Sequence, residues 1–146
     1  MESHTANSNR NEFEVRQLIE NWAQAVRERD VEKILSNHSN DIVMYDVPKP
    51  FQSVGIDAYR KTWKTFFDGT KPGVFDIQQL QVFADDKVAF CFATMKCADK
   101  NNSGDYVELD FRLTTGLRMI KDKWMILHEH HSIPAGKTIL NSSSYP

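Results

Sequence analysis

The chain has 146 residues, of which 40% are apolar, 26% charged and 11% aromatic. That is room for one domain with a full core and too little for two, and the composition is neither disordered nor fibrous. With 18 basic and 20 acidic residues the net charge is -2 and no like-charge run occurs, so no surface for nucleic acid or an anionic membrane is indicated.

The start, Met1 to Asn11, is polar and lacks the apolar stretch of a secretory leader, and no run of about 18 apolar residues exists, which predicts a cytoplasmic protein. Residues 1–11 read as a flexible N-terminus. Asn11 with Glu14 forms a capping box, and Val15, Leu18, Ile19, Trp22, Ala23 and Val26 recur at helical spacing behind it. Asp30 reads as the N-cap of a second, short helix with Val31, Ile34, Leu35 and His38 as its apolar stripe.

Ile42 to Val47 is β-branched and aromatic, hence a strand, stopped by Pro48-Lys49-Pro50 because neither proline can donate to a ladder. Between Gly55 and Asp68-Gly69, the residues Ile56, Tyr59, Trp63, Phe66 and Phe67 give a third helix with an aromatic face. From Gly73 the period becomes two, and turn signals at 84–86, 99–105 and 121–123 divide the rest into four strands. In the first of these the apolar parity changes from Phe75 and Ile77 to Leu80 and Val82, which predicts a β-bulge at Gln78-Gln79. The second, Val88 to Ala98, is apolar on both faces, so both should be covered. Cys91 and Cys97 lie on it, roughly 20 Å apart and beyond disulfide reach, as reduced packing residues. The segment 136–146 lacks periodicity and reads as a loose tail.

The expected fold is therefore α+β, with three N-terminal helices packed on a curved antiparallel sheet. This order resembles the NTF2-like superfamily, and within it the SnoaL-like, ketosteroid-isomerase-like branch. The likeness rests on Arg29-Asp30-Val31-Glu32 between helices, Tyr45-Asp46 closing a strand, Gly55 opening an aromatic helix, and the last strand Trp124 to Pro134 with its W-x-x-x-H-x-H-x-S-x-P ending. It covers about residues 12–135. The resemblance implies a cone whose bent sheet wraps the helices, with a pocket at the wide end and a sheet face used for dimerisation.

In the ketosteroid isomerase pattern the general base matches Asp46, which here could otherwise be only a turn cap. The isomerase's oxyanion-hole tyrosine falls at Trp22, eight residues before Asp30, and its partner aspartic acid near Thr114 or Thr115, so steroid isomerisation itself is not implied. Strict alternation puts Trp124, Ile126, His128, His130 and Ser132 on one face of the last strand and Glu129 and His131 on the other; the family pattern makes the first set the inner one. A three-residue turn at Lys121 to Lys123 would place Thr114 opposite His130 and Arg112 opposite Ser132, facing the pocket, whereas a two-residue turn reverses the faces. Arg112 then either clamps an acidic ligand or pairs with Asp46 or Asp110. Tyr59, Trp63 and Phe90, with Trp22, would wall a small-molecule pocket.

Two functions follow. One is a cofactor-independent isomerase, dehydratase or cyclase, with Asp46 as base, His128 or His130 as acid, and a small apolar or aromatic substrate that could carry an acid. The other is a non-catalytic ligand-binding or dimeric association module. A metal triad of His128, His130 and Asp46 is the least favoured arrangement. In either case a homodimer through the sheet is expected, without cofactor, nucleic acid or membrane.

Overall fold

A computed structural model describes residues 4–136, with side chains from Ala6 onward. The elements are α1 (His4–Arg27), α2 (Val31–Ile34), β1 (His38–Tyr45), β2 (Ser53–Val54), α3 (Ile56–Gly69), β3 (Thr70–Ala84), β4 (Val88–Asn101), β5 (Tyr106–Glu108), β6 (Phe111–Ile120) and β7 (Lys123–Ser132). They build the α+β fold read from the sequence, with a sheet ordered β2-β1-β7-β6-β4-β3 and β5 on the side of β4. All pairings are antiparallel except β1 with β7, which run parallel.

The helical periodicity is the packing interface. Val15, Ile19, Trp22, Ala23 and Val26 are buried, with Tyr59 and Trp63 of α3, against the sheet's inner residues Cys91, Met95, Leu113, Leu117, Trp124 and Ile126. Asp30 caps α2 by accepting the Lys33 N–H at 3.1 Å, as its type predicts. The bulge in β3 is present: Gln78 pairs with Thr94 but Gln81 with Phe92, and Gln79 has φ +55°.

Three expectations need correction. Helix α1 starts at His4, so Asn11 lies inside it rather than capping it, and its amide donates to the Asp85 carbonyl at 2.9 Å. The part of the expected flexible N-terminus from residue 4 to 11 is therefore helical, while residues 1–3 and the tail from 137 lie outside the described residues. His38 is not on α2 but opens β1. On β4, Ala89, Cys91, Ala93, Met95 and Cys97 face the core as expected; the helices cover that face only, and Val88, Phe90 and Phe92 on the other are substantially exposed in the single chain. Among the described residues, no helix is long and apolar enough to cross a membrane.

Candidate functional site

The last hairpin decides which side chains enter the cone. Its turn is the two-residue kind, Lys121-Asp122, both with positive φ, and Ile120 pairs with Lys123. Leu117 pairs with Ile126, but Gly116 pairs with His128, so β7 carries one extra residue at Leu127. From there the parity of β7 is inverted. Trp124 and Ile126 face inward before the bulge; Glu129 and His131 face inward after it, 1% and 6% exposed.

The bulge gives the expected pairs, Thr114 with His130 and Arg112 with Ser132, but on the outer face. His128, His130, Arg112, Thr114 and Ser132 therefore do not line the interior. His128 Nδ1 bonds the Val43 carbonyl at 2.6 Å, and Arg112 Nε donates to Ser132 Oγ at 3.1 Å instead of pairing with Asp46 or Asp110. Asp110 accepts the Cys97 N–H at 2.9 Å. Phe90 is also on the outer face, 48% exposed, and walls no interior pocket. Trp22, Tyr59 and Trp63 do lie inside.

What they enclose is a chain of buried polar groups. Glu129 Oε1 accepts from the Tyr59 hydroxyl at 2.7 Å and meets His38 Nε2 at 2.8 Å. Trp22 Nε1 donates to Tyr59 at 3.1 Å, and His38 Nδ1 donates to the Ser36 carbonyl at 2.9 Å. The other oxygen, Oε2, lies 3.2 Å from His131 Nε2, whose Nδ1 is 3.5 Å from Asp46 Oδ1. These groups come from α1, which brings Trp22, from α3, which brings Tyr59 on the turn that Gly55 opens, and from the parallel β1–β7 pair, which lays β1, with His38 at its start and Asp46 just past its end, alongside the strand that carries Glu129 and His131.

Burial by itself would keep Glu129 protonated, yet hydrogen bonds from His131 and His38 outweigh it and hold the carboxyl at about 2. Burial likewise opposes charge on His131, but bonds to Asp46 and Glu129 raise it to about 9. At neutral pH Glu129 is a carboxylate and His131 an imidazolium, donating from Nε2 to Glu129 and carrying its charge 3.5 Å from Asp46. Tyr59 is pushed well above its ordinary value by burial and by the adjacent carboxylate, so it remains a phenol that donates. Aromatic rings seal the assembly, with Phe111 lying 4.6 Å from the His131 ring and Trp22 and Trp63 each 6.3 Å away.

Asp46 joins this interior to the surface. Its side chain is 18% exposed, and Oδ1 also accepts the Val47 N–H at 2.8 Å, so the turn-cap role and the contact with a histidine coexist. It lines a cleft of about 550 Å³ together with Tyr45, Val47, Phe51 and His130. Phe51 is 97% exposed there. Among the described residues no group of three or more His, Cys, Asp or Glu side chains is placed to hold a metal ion, which removes the His128, His130 and Asp46 triad.

Sequence reading missed His38, Glu129 and His131 as functional residues and saw Tyr59 only as an aromatic wall. The available signal was Gly116, a glycine in the middle of a strand, which often marks a bulge in its neighbourhood.

The family model for the SnoaL-like domain matches residues 15–136. A solved NTF2-like protein of unknown function from Pseudomonas putida KT2440 is similar at 34% identity, covering 89% of this chain and 91% of that one, with a TM-score of 0.80. A ketosteroid isomerase-like protein from Erwinia carotovora atroseptica is 15% identical over 86% of this chain and 99% of its own, TM-score 0.73. A putative calcium/calmodulin dependent protein kinase II association domain from Xanthomonas campestris is 20% identical over 83% and 86%, TM-score 0.68. The last two likenesses show the fold alone. None of the curated proteins matches the sequence significantly.

Proposed function

The chain belongs to the SnoaL-like domain family of the NTF2-like superfamily, and from that premise we propose that it is a cytoplasmic, cofactor-independent enzyme that moves a proton on a small, apolar or aromatic substrate. The observation that carries this reading is the contact between Asp46, which lines the surface cleft, and His131, which is locked from behind by Glu129.

Asp46 is the general base: it takes a proton from a carbon or hydroxyl of the substrate in the cleft and returns it nearby. His130 lines the same cleft and serves as the acid. His131 is buried and is a positioning residue; its Nδ1 side lies 3.5 Å from the Asp46 carboxylate, close enough for the imidazolium charge to hold that carboxylate in place. Glu129, held by the Tyr59 hydroxyl that donates to it and by His38, fixes that ring in turn through Nε2, much as an orienting carboxylate does in other acid–base sites. Tyr45, Val47 and Phe51 supply the apolar contact that suits an aromatic or alicyclic substrate, and Lys49 on the same loop suits one with an acidic group.

The test is conversion of a panel of β,γ-unsaturated ketones and β-hydroxy carbonyl compounds to conjugated products, followed by absorbance. Asp46→Asn keeps shape and removes basicity, so turnover should fall by roughly 10²-fold or more. Equal turnover in wild type and Asp46→Asn would sink this mechanism.

A specific observation supports association as a second role. On the outer face Phe83, Phe90 and Phe92 stack on one another at 5.1, 6.1 and 6.4 Å between ring centroids, and each is at least 39% exposed. Three neighbouring exposed rings on the outer sheet face suit a second copy of the same face related by a two-fold axis. We therefore propose a homodimer through the sheet.

A further inference from the structure

The Asp46 cleft opens on the outer side of the sheet, because Tyr45 and His130, two of its lining residues, both point outward. It lies at one end of an uncharged band that crosses this face. Read across the paired strands β2, β1, β7, β6, β4 and β3, one row of outward residues runs Val54, Val43, His128, Gly116, Phe90 and Phe83. The row beside it runs from Tyr45 on β1 through His130, Thr114 and Phe92 to Gln81 on β3. Neither row contains a Lys, Arg, Asp or Glu, whereas the next outward positions along β6 are Arg112 on one side and Arg118 on the other. An aromatic centre without charges inside a charged rim is the composition of a protein interface.

Contact area decides how much of this band a second copy must cover. The three stacked phenylalanines, each about half exposed, offer roughly 300 Å², while one partner of a standard interface buries about 800 Å². Strands about 4.8 Å apart, with outward residues every ~6.8 Å along them, supply that area only when the contact runs the full width from Phe83 to Tyr45. Two two-fold axes in the plane of contact achieve this. An axis across the strands sets Arg112 against the partner's Arg118 and His128 against the partner's His130, like against like. An axis along the strands, between β6 and β7 at the middle of the sheet, sets Arg112 against the partner's Ser132 and Tyr45 against the partner's Phe92. It also lays the His128 ring over the partner's Gly116, where a Cβ would meet only His128 Cβ of its own chain, at 3.9 Å, so the space above is open. Charge and size both select the second axis.

We propose that a second copy of this chain completes the Asp46 cleft, the partner's Phe92 ring standing on Tyr45 as its outer wall. The proposal rests on the reading of that cleft as the acid–base site and of the outer face as the dimer contact. Each dimer then holds two clefts, each built from β1, β7 and the loop after Asp46 of one copy and from β4 of the other. The added aromatic wall excludes water from the side on which His130 stands and suits the same apolar or aromatic substrate.

The test is cross-linking with a short bis-maleimide, supported by NMR of the wild type. Tyr45 faces the partner's Phe92, but each lies about 14 Å, three strand spacings, to the side of its own symmetry mate. A mixture of Phe92→Cys and Tyr45→Cys chains should therefore give a cross-linked dimer and neither variant alone should; wild type, whose Cys91 and Cys97 are buried, is the blank. Both variants trim the contact, so wild-type dimers mixed from ¹³C-labelled and unlabelled chains supply the second measurement: filtered NOEs should join the Tyr45 ring to the partner's Phe92 ring. Cross-linking by Phe92→Cys alone would select the axis across the strands and overturn the proposal. So would a dimer without the Tyr45–Phe92 NOE, or a wild type that stays monomeric. Failure of the acid–base reading shows elsewhere, as equal turnover in wild type and Asp46→Asn, so the two failures are told apart.

Discussion

The hydroxyl of Tyr59 and the carboxylate of Glu129 are 2.7 Å apart, 70 residues distant in the chain, and both side chains are almost completely buried. A buried carboxylate persists only when donors replace its lost water, so Tyr59 acts as a structural donor and not as one more aromatic wall. Tyr59→Phe keeps the ring packing against His38 and Trp63 and removes the donor. It should cost about 1–3 kcal/mol in urea unfolding, the scale of a hydrogen bond to a charged group. A change within a few tenths would mean that Glu129 does not depend on that bond.

Stability should depend on pH in two separate windows. The folded-state value of Glu129, about 2 against an ordinary 4.5, is depressed, so its contribution is present above pH 4.5 and is lost as pH falls from there toward 2. His131 is raised, about 9 against 6.5, so its contribution is complete below pH 6.5 and is lost as pH rises toward 9. Denaturant midpoints should therefore peak between pH 4.5 and 6.5. Glu129→Gln should flatten the acid limb, while Asp46→Asn should shrink the alkaline limb and leave the acid one in place. Identical profiles for the two variants would contradict the assignment of these charges.

The two outer-face histidines should separate cleanly in function. His130 lines the Asp46 cleft and His128 spends its Nδ1 on the Val43 carbonyl, so only the first is placed to meet a substrate. Once a turnover assay exists, His130→Ala should lower the rate by roughly 10²-fold and His128→Ala should leave it within a factor of about two. The reverse order would return His128 to the site and remove His130.

The fold was legible wherever a periodic pattern reported directly on burial. The α1 stripe from Val15 to Val26, the Asp30 cap and the parity change that marks the β3 bulge all survive in the structure, because each is a local consequence of one face meeting the core. The site was half legible. Asp46 was singled out by the resemblance to the ketosteroid isomerase pattern, while the strand end and the prolines alone read as a turn cap, and Trp22 is buried as its helix face predicts. The inward histidine was read as His130 instead of His131, since a single extra residue at Leu127 inverts every later side chain and strict alternation has no means of registering it. His38 and Glu129 escaped for another reason: their pairing spans 91 residues and depends on a parallel β1–β7 contact that no local pattern encodes.

The outer sheet face gives the last prediction. Phe83, Phe90 and Phe92 are 46%, 48% and 39% exposed, and burying each ring against a second copy would contribute on the order of 1.5 kcal/mol or more. Six such rings give a gross gain of about 9 kcal/mol, which is of the size of the cost of association, so the rest of this face contributes to the contact as well. Sedimentation velocity on the wild type should thus give a dimer. Phe90→Asp puts a carboxylate into the ring cluster, where pairing would bury it without a partner, and should yield a monomer with the same circular dichroism spectrum. A wild type that stays monomeric across the micromolar range, or a Phe90→Asp variant that still dimerises, would show that this face is not where two copies meet.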